Sequence, residues 1–219
     1  MKPIAVILSG SGVFDGSEIH EAVLTLLSLS RAGVAYQCFA PDRDQRHVVN
    51  HLTGEVVEGE RRNILVEAAR IARGEIKPLA ELNTDEFAAV ILPGGFGAAK
   101  NLCDFAVAGA DCQIEPDLLE ACRAFVAAGK PAGFLCIAPI MLPLIYGEGV
   151  KGTIGMDAGT AQAFNQLGGA HQECPVEGIV VDTEHNVVST PAYMLAGNIV
   201  EAAEGIDKLV REVVSMCQK

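Results

Sequence analysis

Short apolar runs recur along the chain, each followed by a loop rich in Gly or Pro and then by a segment where apolar residues return every three or four positions. The runs over 4–8, 34–39, 88–92 and 132–135 read as strands, the continuous aliphatic ones covered on both faces. After 4–8 comes the loop SGSGVFDG, whose Asp15, followed three positions later by Glu18, is spaced as a capping box. Ile19, Ala22, Val23, Leu26 and Leu27 then follow at helical spacing up to Gly33. Further helices are predicted over 63–73, from Pro116 to Gly129, over 161–167, and along Ile199, Ala203, Ile206, Val210, Val213 and Cys217 with a bend near Gly205. The polar stretch 43–59, with its pairs Val48-Val49 and Val56-Val57, predicts a small antiparallel excursion at a sheet edge, and 179–182 and 187–190 predict strands joined by a turn. Strands alternating with helices predict an α/β architecture: a doubly wound, mainly parallel sheet with helices on both faces, in one domain spanning 1–219.

Composition narrows the classes of function. With 28 acidic against 16 basic residues the formal charge is -12, which repels phosphate backbones and anionic lipid, so neither nucleic acid nor membrane is expected as a partner. No apolar run reaches the ~20 residues of a membrane span, and the first residues lack a signal-peptide pattern. The seven cysteines are odd in number and form no CxxC pair, which predicts free thiols in a reducing compartment. A soluble, cytoplasmic protein is the expectation.

The candidate chemistry lies in KPAGFLCIAP, residues 130–139. A strand runs straight into Cys136, and Pro139 stands where the first turn of a helix should begin. Such a turn projects a side chain at the carboxyl edge of a sheet, where the positive end of the next helix favours a thiolate. The loops after 4–8 and 88–92 should reach the same edge, where open α/β sheets bind ligands. They bring an acidic helix start and Gly94-Gly95, whose amides can approach a substrate oxygen closely. Two further patterns are weaker. Gly10 and Gly12 with Asp42 lack the regular spacing of a dinucleotide fingerprint, and His47 and His51 would bind zinc only on a helix, which their β-branched neighbours disfavour.

LPGGFGAAKNL followed by a helix and KPAGFLCIAP, with a glutamate in the first helix and RAG closing it, resembles the ThiJ/PfpI superfamily, which includes class I glutamine amidotransferase-like proteins and the Parkinsonism-associated deglycase. VFDGSEIHE and CPVEG look more like its bacterial branch of enhancing lycopene biosynthesis proteins and glyoxalases. The resemblance implies a flavodoxin-like, amidotransferase-like sandwich, Cys136 as nucleophile and Glu21 as the carboxyl at the thiol, with Glu18 one turn earlier on the same face. The amides of Gly94, Gly95 and Ile137 would stabilise an oxyanion. It further implies a homodimer, no cofactor, no metal, and a small dicarbonyl substrate.

Two departures leave the activity open. Many relatives carry His directly after the cysteine where this chain has Ile137, and the later family histidine falls near Gly155. Only His171 and His185 come late enough to substitute. The leading expectation is a cofactor-independent glyoxalase that converts glyoxal or methylglyoxal to a 2-hydroxy acid through a Cys136 hemithioacetal, with deglycase activity as the same chemistry on glycation adducts. A non-catalytic thiol sensor linked to isoprenoid metabolism and an amidotransferase or peptidase are the alternatives.

Overall fold

The computed structural model describes residues 1–218. In chain order the strands are β1 (Ile4–Ile7), β2 (Tyr36–Ala40), β3 (Val49–Asn50), β4 (Glu55–Val56), β5 (Ile76–Pro78), β6 (Ala89–Leu92), β7 (Ala132–Leu135), β8 (Lys151–Gly152), β9 (Ala170–His171), β10 (Val180–Asp182) and β11 (Val187–Thr190). The α-helices are α1 (Ile19–Arg31), α2 (Ile64–Ile71), α3 (Phe105–Ala108), α4 (Pro116–Ala127), α5 (Leu142–Tyr146), α6 (Ala158–Gln166) and α7 (Ile199–Met216).

The main sheet has the order β10-β11-β7-β6-β1-β2-β5, and every neighbouring pair in it is parallel except β10–β11. Successive side chains of a strand point to opposite faces, so β1 supplies two cores. Ile4 and Val6 pack with α1, α2 and α7, whereas Ala5 and Ile7 pack with Leu118 and Phe125 of α4 and with Ile145 of α5. The sheet is thus a mainly parallel layer between two layers of helices. β3 and β4 form an antiparallel ribbon outside it, and β8 and β9 a second small ribbon.

Three local expectations are corrected. Asp15 does not cap α1; its Oδ2 accepts from the Val49 amide at 2.7 Å, and Glu18 is the cap, accepting from the Glu21 amide at 2.7 Å. Helix α7 continues unbroken through Gly205. Glycine is needed there for close approach, because a Cβ would stand 2.6 Å from both Thr190 Oγ1 and the Val176 carbonyl. β5 is an edge strand that the apolar pattern does not reveal, since its side chains are only partly buried.

Candidate active site

Four parallel strands end at one edge of the sheet, and the loops after β1, β6, β7 and β11 meet there. β7 delivers Cys136 in the left-handed region, at φ 62°, an uncommon conformation for a residue with a side chain. The Cys136 amide donates to the Thr190 carbonyl at 2.9 Å, which holds the turn against the end of β11. Cys136 is 7% exposed and lines a cavity of about 270 Å³. A larger groove of about 790 Å³, lined by Val23, Leu27 and Tyr36, has no cysteine among its described lining residues.

Glu21 is fully buried beside the Cys136 thiol, and each group shifts the other's ionisation. Its Oε2 accepts from the Gly94 amide at 2.9 Å and its Oε1 from the Tyr193 amide at 3.1 Å. Burial drives its pKa from an ordinary 4.5 up to about 7; the Tyr193 and Gly94 amides and the thiol only partly offset that cost, and Glu18 adds to it. The same burial, and then Glu21, push the Cys136 thiol well above its usual value, while the amides of Gly95 and Ile137 pull the other way. The expected thiolate bias therefore does not hold in the resting site: loss of water outweighs the dipole of the short 3₁₀ turn Ala138–Met141 that follows. The sulfur rests as a thiol instead, beside a carboxyl that changes charge near neutrality.

Gly94 is also corrected. Its amide is taken by Glu21 and is not free for an oxyanion, because a buried carboxyl needs donors. Its missing side chain is what lets the pair meet: a Cβ would lie 2.5 Å from that of Cys136 and 2.8 Å from Glu21 Oε2. The amides of Gly95 and Ile137 face the sulfur. Glu18 lines the cavity, and its own amide donates to the Gly94 carbonyl at 2.9 Å, so the start of α1 is tied to the double glycine.

Neither late histidine joins the site. His171 Nε2 accepts from the Ile154 amide at 3.2 Å and its ring packs edge-on against Phe164, outside the cavity lining. His185 sits on the turn before β11, at the opposite edge of the sheet from Cys136, with Nδ1 2.9 Å from Asp182 Oδ2. Of the other histidine pair, His51 Nε2 accepts from the Phe14 amide at 3.2 Å and braces the first loop. Asp42 accepts from Asn63.

Tyr193 was not foreseen. It lies just beyond β11 in the turn Ala192–Met194, lines the cavity, and bonds through its hydroxyl to His20 Nδ1 at 2.8 Å. Ala192 before it is held at φ 44°, a second left-handed residue at the site. The signal was present in the sequence, since β11 ends at the same edge as β7, but Pro191-Ala-Tyr resembles no catalytic motif.

No protein-family model matches the chain. Curated relatives include the human glutamine amidotransferase-like class 1 domain-containing protein 3, mitochondrial, 44% identical over 99% of this chain and 84% of the relative. The mitochondrial ES1 protein homolog of Rattus norvegicus is 43% identical over the same shares, and the mitochondrial ES1 protein of Danio rerio 32% identical over 99% and 86%. Among solved structures, an isoprenoid biosynthesis protein with an amidotransferase-like domain from Ehrlichia chaffeensis superposes with a TM-score of 0.93 at 39% identity over 100% of both chains. Glyoxalase III from Candida albicans shares the fold at a TM-score of 0.63 and 13% identity, over 98% of this chain and 97% of its own. The cytoplasmic expectation is overturned, because the three relatives just described are each named mitochondrial. Reduced thiols and an acidic surface do not distinguish one reducing compartment from another.

Proposed function

Because the chain belongs to the glutamine amidotransferase-like class 1 and ES1 proteins of the DJ-1/ThiJ/PfpI superfamily, we propose that it is a glyoxalase using Cys136 as nucleophile and needing no cofactor. The observation that carries this reading is Cys136 on the wall of an apolar cavity with the Glu21 carboxyl buried behind it and the Gly95 and Ile137 amides acting on the sulfur. With a pKa of about 7, Glu21 is divided between acid and base near neutrality, where general catalysis is most effective. It takes the thiol proton as Sγ attacks the aldehyde carbon and passes that proton to the aldehyde oxygen. The Gly95 and Ile137 amides hold the oxygen while it carries charge. Glu21 then carries the hydrogen of the attacked carbon to the neighbouring carbonyl carbon while the hemithioacetal hydroxyl proton passes to that carbonyl's oxygen, which yields the thioester of a 2-hydroxy acid, and water cleaves the C–S bond to release the acid and restore the thiol.

The amidotransferase alternative is disfavoured because, among the described residues, no histidine lines the cavity and no Lys or Arg stands there to hold the carboxylate of glutamine. A sensor role is disfavoured by a thiol that burial keeps protonated, since oxidation selects exposed thiolates. Purified protein incubated with glyoxal or methylglyoxal, without glutathione, should form glycolate or lactate. The reading fails if the rate does not exceed that of Cys136→Ala.

A further inference from the structure

We infer that the substrate this site is shaped for is an uncharged α-oxoaldehyde with an apolar, ring-sized arm, an aryl glyoxal in preference to glyoxal itself. The inference takes its chemistry from the reading above and its specificity from the cavity. At ~30 Å³ per water, about 270 Å³ has room for roughly nine water-sized groups. Glyoxal has four non-hydrogen atoms and methylglyoxal five, and either would leave much of an apolar space unfilled beside the thiol. Phenylglyoxal has ten.

The walls specify what fills the remainder. Val13, Phe96, Phe105, Ile137 and Met194 supply aliphatic and aromatic surface, which suits a ring. Charge sets the other limit. Among the described residues no Lys or Arg lines the cavity, Glu18 does, and Glu21 lies beneath it, so an arm bearing carboxylate or phosphate would meet like charge without a counter-ion. The Gly95 and Ile137 amides act at the thiol, where the two adjacent carbonyls must sit. The step balances internally: the aldehyde carbon is oxidised to the thioester, the ketone carbon is reduced to the carbinol, and water releases mandelate with the thiol restored.

The test compares kcat/KM for phenylglyoxal, methylglyoxal and glyoxal, read as mandelate, lactate and glycolate, in the wild-type chain, in Cys136→Ala and in Ala106→Phe. Ala106 is an exposed lining residue, so a phenyl group there occupies the space of the arm at little cost to folding. The expected result is a wild-type preference of about 10- to 100-fold for phenylglyoxal over glyoxal. Ala106→Phe should abolish that preference, lowering kcat/KM for phenylglyoxal far more than for glyoxal. Equal or better use of glyoxal by the wild type overturns the substrate assignment and leaves the glyoxalase reading standing. An aryl preference that survives Ala106→Phe overturns it as well, since the preference then reflects the aldehyde and not the cavity. Absence of Cys136-dependent turnover of all three compounds overturns the reading and the inference together.

Discussion

The Gly94 amide donates to Oε2 of Glu21 at 2.9 Å, across 73 residues of sequence, and the hydrogen in place of its side chain is the space in which that carboxyl reaches Cys136. Gly94→Ala would put a methyl group 2.5 Å from the Cys136 Cβ and 2.9 Å from the Leu135 carbonyl. The expected outcome is a loss of about 1–3 kcal/mol in stability by overpacking and at least a tenfold loss in turnover. Denaturant unfolding and steady-state kinetics check it.

Glu21 imposes a pH dependence on folding. Its folded pKa of about 7 exceeds the ordinary 4.5, so between these values the folded chain holds a proton that the unfolded chain has released. Its contribution is fully present below pH 4.5 and is lost as pH rises through 7, at about 1.4 kcal/mol per unit. Unfolding free energies across that window should fall less steeply with pH for Glu21→Gln than for the wild type. The Gln variant should also be less stable throughout, because both carboxylate oxygens accept from amides and an NH₂ group would face one of them.

Turnover should rise with pH through about 7 as Glu21 becomes able to accept the thiol proton. A kcat/KM profile that is flat there, or that falls, contradicts the assignment of Glu21 as base.

The left-handed backbone at Cys136 inverts an ordinary rule. Glycine usually destabilises relative to alanine, but at φ 62° the Cβ itself carries the strain. Cys136→Gly is expected to be at least as stable as Cys136→Ala, with both inactive, as thermal unfolding and product assays will show.

Tyr193 and His20 make the remaining prediction. The Tyr193 hydroxyl, 2.8 Å from His20 Nδ1, is the phenol of the cavity wall, and burial and then Glu18 and Glu21 hold it protonated. It is suited to donate to the second carbonyl oxygen of a bound dicarbonyl. Tyr193→Phe should lower kcat by about 10- to 100-fold with little change in KM, and His20→Ala, which acts only through the phenol, by less. Equal activity in all three proteins would remove the pair from the mechanism.

The pattern of apolar runs was sufficient for the parallel sheet and for the loops that carry Cys136, Gly94 and Gly95, because burial on both faces and sharp turns are local demands on residue type. The same pattern missed β5, whose half-exposed side chains leave no such mark. It also placed the α1 cap at Asp15, which a contact with Val49 claims in the folded chain.

The chain by itself thus determined which residues stand at the carboxyl edge of the sheet. Tertiary structure alone decided what they do there. Whether Gly94 serves an oxyanion or Glu21, whether His171 or Tyr193 reaches the cavity, and whether the thiol rests charged or neutral all depend on contacts between distant segments and on how completely water is excluded. Desolvation belongs to the packed surroundings of an atom, and no local stretch of sequence encodes it.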